Sequence, residues 1–326
     1  MAYTLTHISD VHLGPLPDVR TVDLLSKRIT GYVNWKRNRA AHMESGTLKR
    51  LLTSMKGLAP DHVAVTGDLT NLALDAEIVN AAVWLRELGS PENVSVVPGN
   101  HDAYVPGALS KAVTAWKTYM TTEAPDAPTT RNGFPFLRER GPLGVIGVNS
   151  AVATAPFMAS GIFTRTQAEG LASVLDTARE KGLFRVVLIH HPPVRRAASP
   201  QKRLYGIRLF QSVIRRHGAE LVLHGHTHVP QRHWIDAPDG KQVPVIGVPA
   251  GGQAPGGRKP AAAFNHFEID GEPGDWRCTL KEYSVAGKVG ATTVTERRVL
   301  HGPETDSGSS SGPAGSGRRE AARLRQ

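Results

Sequence analysis

Histidines, aspartates and an asparagine fall in short runs, each directly behind an apolar stretch. Asp10-Val11-His12 closes residues 3–9, Gly67-Asp68-Leu69-Thr70-Asn71 follows residues 61–66, and Gly99-Asn100-His101-Asp102 follows residues 93–97. His190-His191-Pro192-Pro193 follows residues 184–189, and His224-Gly225-His226-Thr227-His228 follows residues 220–223. Imidazole, carboxylate and amide oxygen together suit Mn, Fe, Zn or Co rather than a soft-metal site. Two such divalent ions held about 3.5–4 Å apart neutralise phosphoryl oxygens and supply a strong nucleophile at neutral pH, which is what hydrolysis of a phosphate ester requires. Any one of these runs alone reads as a turn or a helix cap. All of them in register with strand ends read as one shared site.

The elements that must position these side chains follow from the pattern. Short apolar runs bounded by breakers are buried strands. Residues two apart leave a strand on the same side, so Asp10 and His12 offer a carboxylate and an imidazole to one point. Gly225 allows a tight turn, and Pro230 ends regular pairing. Helical spacing covers residues 48–58, 74–88, 106–119, 166–181 and 209–217, while 143–149, 243–248, 262–269 and 277–285 read as further strands and 121–133 as a loop. Strand, ligand loop and helix in alternation is the α/β arrangement whose sites gather at the carboxyl ends of the strands.

Composition narrows the class. With 326 residues the chain can bury a large core, and residues 1–300 are expected to form one catalytic domain. From His301 on, Gly, Ser, Pro, Arg and Glu cannot bury enough apolar surface, so 301–326 is expected to be a disordered tail. The single cysteine, Cys278, excludes an intrachain disulfide and a cysteine-based zinc site. The first residues lack a basic region followed by a long apolar one, and no run is long and apolar enough to span a bilayer. A cytoplasmic protein is expected, at most peripheral on the inner membrane surface. The formal charge of +10 and a pI near 9.9 favour phosphate-bearing or membrane-surface partners. Nothing points to sequence-specific nucleic-acid binding. Residues 19–45 look like an insertion beside the site, a helix pair with basic outer faces. Arg20, Lys27, Arg28, Lys36, Arg37 and Arg39 lie there with Tyr32 and Trp35 among them, which suits an anionic substrate or an anionic bilayer surface.

The ordered set Asp-x-His, Gly-Asp-x-x-Asn, Gly-Asn-His-Asp, His-His-Pro-Pro and Gly-His-x-His resembles the calcineurin-like metallophosphoesterase superfamily, over roughly residues 4–269. The cyclic-nucleotide phosphodiesterase and glycerophosphodiesterase branch is the most similar. The resemblance implies a four-layer α/β/β/α sandwich and two metal ions. It assigns Asp10, His12, Asp68 and His228 to one ion and Asp68, Asn100, His190 and His226 to the other, with Asp68 bridging. His190 is preferred to His191 because it follows the strand directly, and the family ligand lies two residues before the first proline. The implied reaction is in-line attack of a metal-bridging hydroxide on a small phosphate mono- or diester. His101 then protonates or stabilises the leaving oxygen, and Asp102 orients His101. Asn71 is expected to brace its turn, and Thr227 either to touch substrate or to shape the loop. His7, His42, His62, His217, His224, His233, His266 and His301 are read as structural or surface residues. One alternative is a membrane-surface pyrophosphohydrolase acting on a nucleotide-linked lipid such as UDP-diacylglucosamine. The other is a non-catalytic scaffold, but such relatives usually lose ligands that this chain keeps.

Overall fold

The computed structural model describes residues 2–24, 26–39, 45–123, 130, 132–285 and 292–302. In order, the first part of the chain forms β1 (Tyr3–Ile8), α1 (Arg28–Asn34), α2 (Ser45–Gly57), β2 (His62–Val65), α3 (Asp75–Leu88), β3 (Val94–Val96) and α4 (Ala108–Ala115). It continues with β4 (Phe136–Arg140), β5 (Leu143–Gly147), β6 (Gly161–Ile162), α5 (Arg165–Glu180), β7 (Phe184–Leu188), β8 (Leu204–Tyr205) and α6 (Ile207–His217). The last elements are β9 (Leu221–His224), β10 (Gln231–Asp236), β11 (Gln242–Gly247), β12 (Ala263–Asp270), β13 (Arg277–Val285) and β14 (Thr292–His301).

One sheet runs β14-β13-β12-β1-β2-β3 and the other β10-β11-β9-β7-β5-β4, with β6 and β8 as a small separate pair. Alternation along a central strand shows why two sheets stack. Val186 and Leu188 on β7 join Leu5, Ile8 and Phe267 of the first sheet in one cluster. Val187, with Ile189 just past the strand's end, turns the other way, onto Leu171 and Val174 of α5 and Phe210 and Ile214 of α6. Leu51 and Met55 of α2 and Ile78 and Leu85 of α3 cover the first sheet. The result is the expected four-layer α/β/β/α sandwich. β1, β2 and β3 are mutually parallel, as are β5, β7, β9 and β11. Loops leaving their carboxyl ends therefore meet on one side.

Five strands escape the pattern in the sequence: the two-residue β6 and β8, and three edges of the main sheets, β4, β10 and β14. Edge strands have one solvated side and carry charge that blocks further pairing, which erases the apolar signal. Thus β14 reads TTVTERRVLH and is mostly exposed, and β10 reads QRHWID. Pro230 was expected to end pairing; it stands just ahead of β10, where its missing N–H costs no ladder bond. In the insertion, α1 is two turns long, runs into a π turn at Trp35–Arg39 and is preceded by a 3-10 turn at Thr21–Leu24. Among the described residues of the insertion α1 is thus the one α-helix, where a pair was expected; α2 is the separately expected helix at 48–58, and residues 40–44 lie outside the described set. The tail was expected from 301, but His301 closes β14 opposite Cys278; residues 303–326 lie outside the described set.

An arginine ties the two sheets together at each edge. Arg138 on β4 is buried and donates to Val94 O at 2.7 Å, Ser95 Oγ at 3.0 Å and Tyr119 O at 3.1 Å, and also to Pro91 O. Arg232 on β10 pairs with Glu282 on β13 and Glu296 on β14. Burial pushes the Arg138 guanidinium down to about 10, so it stays charged at neutral pH. Arg138→Met leaves buried acceptors unpaired. It is expected to lower the unfolding free energy by about 2–4 kcal/mol, read as a drop in the urea midpoint at unchanged slope.

Candidate metal centre

The ligand loops converge because their backbones pack almost without side chains between them. A Cβ on Gly99 would stand 2.2 Å from Asp68 Oδ1, and one on Gly225 would stand 1.9 Å from Ser9 Oγ and 2.4 Å from Asp10 Oδ2. Gly225 is thus required by close approach and not, as the sequence suggested, by the turn itself. Backbone bonds join the loops: Asp10 N to Gly67 O at 2.9 Å, His12 N to Asp68 O at 3.0 Å and Gly225 N to His190 O at 3.1 Å. Asp10, His12, Asp68, His226 and His228 all adopt left-handed backbone, with φ of 52°, 42°, 55°, 70° and 61°. For non-glycine residues that conformation costs about 1–2 kcal/mol each, and it persists only where the surroundings over-determine it.

The side chains so placed form two groups that share Asp68. Asp10, His12, Asp68 and His228 make one and Asp68, His190 and His226 the other, the ligand atoms of each lying within 4.8 Å of one another. His228 Nε2 is 3.1 Å from Asp10 Oδ1, and His12 Nε2 is 3.5 Å from His228 Nε2 and 3.8 Å from Asp68 Oδ2. In the second group His190 Nε2 is 3.4 Å from Asp68 Oδ2 and 3.2 Å from Asn100 Oδ1, so Asn100 joins it. Atoms bound about 2.1 Å from one ion lie about 3.0–3.5 Å from each other, close to these spacings. The donors fit a pair of divalent cations on further grounds. Asp10 Oδ1 is fully buried and faces the imidazole of His228, itself one of the candidate ligands. The second nitrogen of several imidazoles is also already engaged: His12 Nδ1 donates to Thr70 O, His190 Nδ1 to Thr66 O and His226 Nε2 to Lys202 O. Such bonds fix the tautomer and turn the other nitrogen toward the metal.

Electrostatics agree. Burial alone would raise the carboxyls of Asp10 and Asp68, but the imidazoles around them, His228 for the first and His190 for the second, hold both well below the usual range. Burial works against a charged His190, yet Asp68 pushes it up to about 9. A field that favours a proton at that point also favours a cation. His191 belongs to neither ligand group although its ring lies 4.3 Å from that of His226: Nδ1 bonds Ser150 Oγ at 2.8 Å and Nε2 bonds Ala159 O at 3.1 Å, and burial keeps it neutral at about 3.

His101 lies at the edge of the cluster. Its ring meets His12 edge-on at 4.8 Å and stacks on Tyr104 at 5.3 Å, and its amide donates to Asp68 Oδ1 at 2.7 Å. Asp102 does not orient the ring. The Asp102 carboxylate accepts from the amides of Asp68, Leu69, Thr70 and Gly99 at 2.8–3.0 Å and from Thr70 Oγ1, so it clamps the two ligand loops together. The orienting group is the carbonyl of Asn71, 2.6 Å from His101 Nδ1. The Asn71 side chain donates to Leu13 O at 2.9 Å, and Glu77 receives the amides of Asn71, Leu72 and Leu74. Thr227 reaches only Val229 O, at 3.5 Å.

Above the ligands opens a cavity of about 280 Å³, lined by Lys27, Asn34, Tyr104, Phe157, Lys202 and Lys259 besides His101 and the candidate ligands Asp68, Asn100, His226 and His228. Lys259 Nζ is 3.0 Å from His228 Nδ1. The basic insertion divides. Lys27 donates to Thr154 Oγ1 and Met158 O, and Arg28 donates to Leu72 O and Ala73 O, so both turn inward. Lys36 and Arg37 stay exposed, Lys36 over the Tyr32 ring. Sequence reasoning missed Tyr104, Phe157, Lys202 and Lys259. Tyr104 had one usable signal, an aromatic three residues past His101; the others sit in loops with no motif.

Comparison with known proteins bears on this geometry. A family model described as calcineurin-like phosphoesterase matches residues 3–230. No curated protein matches the chain. Among solved structures the chain is similar to a dimetal phosphatase from Danio rerio, with a TM-score of 0.61 and 15% identity over 92% of this chain and 99% of that one. It is also similar to a purple acid phosphatase from seeds of yellow lupin (Lupinus luteus), with a TM-score of 0.54 and 13% identity over 87% of this chain and 52% of that one. At such identities the likeness is one of fold.

The shared carboxylate gives a test of metal content. Elemental analysis after saturation and desalting should find two ions per chain. Asp68→Ala should lose both, whereas His226→Ala should keep about one. A single ion in the wild-type protein would refute two sites.

Proposed function

We propose a hydrolase of phosphate diesters, and secondarily of monoesters, because the chain belongs to the calcineurin-like phosphoesterase family and its fold brings a complete set of dinuclear ligands together beside His101. The observation that carries the reading is Asp68, shared by both ligand groups and hydrogen-bonded to the His101 amide. A bound pair of divalent ions supplies charge neutralisation for the phosphoryl oxygens and a water nucleophile at neutral pH. The protein's own groups do the rest. Lys27, Lys202 and Lys259 draw an anionic ester into a cavity far larger than a phosphoryl group, which leaves room for its substituents. Asn71 O holds the Nδ1 proton of His101, so proton exchange with a leaving oxygen falls to Nε2.

The direct test uses bis(p-nitrophenyl) phosphate and a dialkyl phosphate diester with Mn-loaded protein. His101→Ala should keep its metal while kcat falls by roughly 10²–10⁴-fold on the dialkyl ester. The loss should be much smaller on the nitrophenyl ester, whose leaving group needs little protonation. Equal losses on both would assign His101 to electrostatic stabilisation, and loss of metal would make it structural.

A second reading, contact of the same enzyme with an anionic membrane surface, is favoured by one feature. Val22, Ile29 and Val33 on the insertion are 61%, 52% and 41% exposed, and Ile29 and Val33 share one face of α1 beside Lys36 and Arg37. Apolar and basic side chains together suit a headgroup layer, where each cation contributes about 1 kcal/mol that salt screens. No helix among the described residues is long and apolar enough to cross a membrane. Sedimentation with phosphatidylserine liposomes is expected at low salt and should vanish on replacing Ile29, Val33, Lys36 and Arg37 by Ser or Gln, with hydrolysis of bis(p-nitrophenyl) phosphate intact. Wild-type protein that stays in the supernatant at low salt would end this reading.

A further inference from the structure

Phe157 stands out among the described residues. It is the most exposed large apolar side chain, at 85%, and its backbone is left-handed, with φ of 64°. Bulky residues avoid that region, so a glycine would be the ordinary choice there. Nor is the segment loose. Thr154 Oγ1 donates to Met158 O at 2.6 Å, and Lys27 Nζ reaches across from the insertion to the same two groups at 2.7 and 2.8 Å. On the far side Ala159 N donates to Gln201 O at 2.9 Å, and His191 Nε2 holds Ala159 O. The fold thus fixes a strained turn from two directions and uses it to present one phenyl ring at the wall of the cavity over the metal ligands.

Lys27 pairs with no carboxylate among the described residues. Burial alone pushes its ammonium down to about 8, and its charge lies 4.8 Å from the Tyr104 ring that stacks on His101. Around Phe157 the cavity wall mixes Thr30, Asn34, Lys202 and Lys259 with Tyr104, Met158 and Ala159. An alkyl chain needs a continuous apolar trough, which Asn34 and the lysines interrupt. A flat ring needs only one face to stack on and tolerates polar groups at its edge.

We propose that Phe157 is a specificity-determining platform that stacks on a flat aromatic group carried by the phosphoester substrate, and that Lys27 fixes the platform in place. The inference rests on the phosphoesterase reading and deepens it, since it names the substrate as a phosphate ester bearing an aromatic ring. Strain at a site of recognition is what a platform with no other packing role predicts.

Non-hydrolysable phosphonates test this without relying on turnover. Titration calorimetry on metal-loaded protein would compare methylphosphonate with phenylphosphonate and with an adenine-bearing phosphonate analogue of AMP. At least one ring-bearing ligand should bind roughly 10-fold tighter than methylphosphonate, in line with the usual strength of aromatic stacking. Phe157→Ala should erase that increment and leave methylphosphonate binding unchanged, while Phe157→Trp should keep it. Phe157→Gly should lose the increment and melt at or above the wild-type Tm, because it relieves the backbone. If rings add nothing in the wild type, or Phe157→Ala weakens all ligands alike, the platform is refuted. It is equally refuted if the variant loses only liposome sedimentation, which would make Phe157 a bilayer contact. Failure of methylphosphonate itself to bind would mark the phosphoesterase reading as the one at fault, and the platform would fall with it.

Discussion

A buried carboxylate that must serve two groups of imidazoles at once is the constraint from which the rest of the structure follows. Asp68 is 1% exposed, and Asp10 and Asp102 are fully buried in the same neighbourhood. Carboxylates so placed repel one another, and desolvating each of them costs several kcal/mol. Only surrounding donors and positive charge make the arrangement tolerable. Asp102 meets the requirement with backbone amides: burial and the nearby Asp68 charge push its carboxyl up to about 7, and the amides of Gly99 and Thr70 pull it back. Asp68 and Asp10 face imidazoles instead. His190, pushed up to about 9 by Asp68, supplies one positive charge against two carboxylates, and a divalent cation is a stronger counter-charge. The site is therefore built around a charge that the protein does not itself provide.

Meeting that constraint dictates the backbone. Side chains from separate strand ends reach one point only if their loops nearly touch, which accounts for the close approach of Gly99 and Gly225 to neighbouring ligand residues. It also accounts for ligand residues held in left-handed conformation: the chain must reverse within one or two residues of the strand and still aim a side chain inward. A floppy scaffold would relax such strain. The sheets resist because their central strands are buried on both faces and their edges are joined by Arg138 on one side and Arg232 on the other.

What the sequence reveals and what it conceals divides along the same line. Central strands are legible because both faces are apolar, and ligand residues are legible because metal chemistry demands particular types at particular spacings. Both signals are local. The edge strands β4, β10 and β14 carry charge for reasons that exist only in the sheet. Asp102 illustrates a subtler limit. Adjacency to His101 suggests a hydrogen bond between the two side chains, but side chains of successive residues leave the backbone in different directions, and the ring finds the carbonyl of Asn71 some thirty residues away. The site's polar wall is harder still to read, because Lys202, Lys259 and Phe157 come from loops whose proximity is a product of the whole topology.

The insertion shows how that topology links recognition to chemistry. A Cβ on Gly31 of α1 would stand 2.3 Å from the Tyr104 hydroxyl, so the helix backbone lies directly against that side chain. Tyr104 in turn stacks on His101, and Lys27, one residue ahead of the helix, lies over the same ring while gripping the Phe157 turn. Insertion, His101 and cavity wall are thus joined through one aromatic side chain. The basic residues that looked from sequence like a surface charge are of two kinds. Lys27 and Arg28 hold neutral oxygens and set the position of the helix, whereas Lys36 and Arg37 face outward. A displacement of α1 would move Tyr104 and the Phe157 turn together. Whatever binds in the cavity therefore meets the His101 imidazole and the Phe157 wall through one connected set of contacts, and such connections allow contacts remote from a reacting centre to orient it.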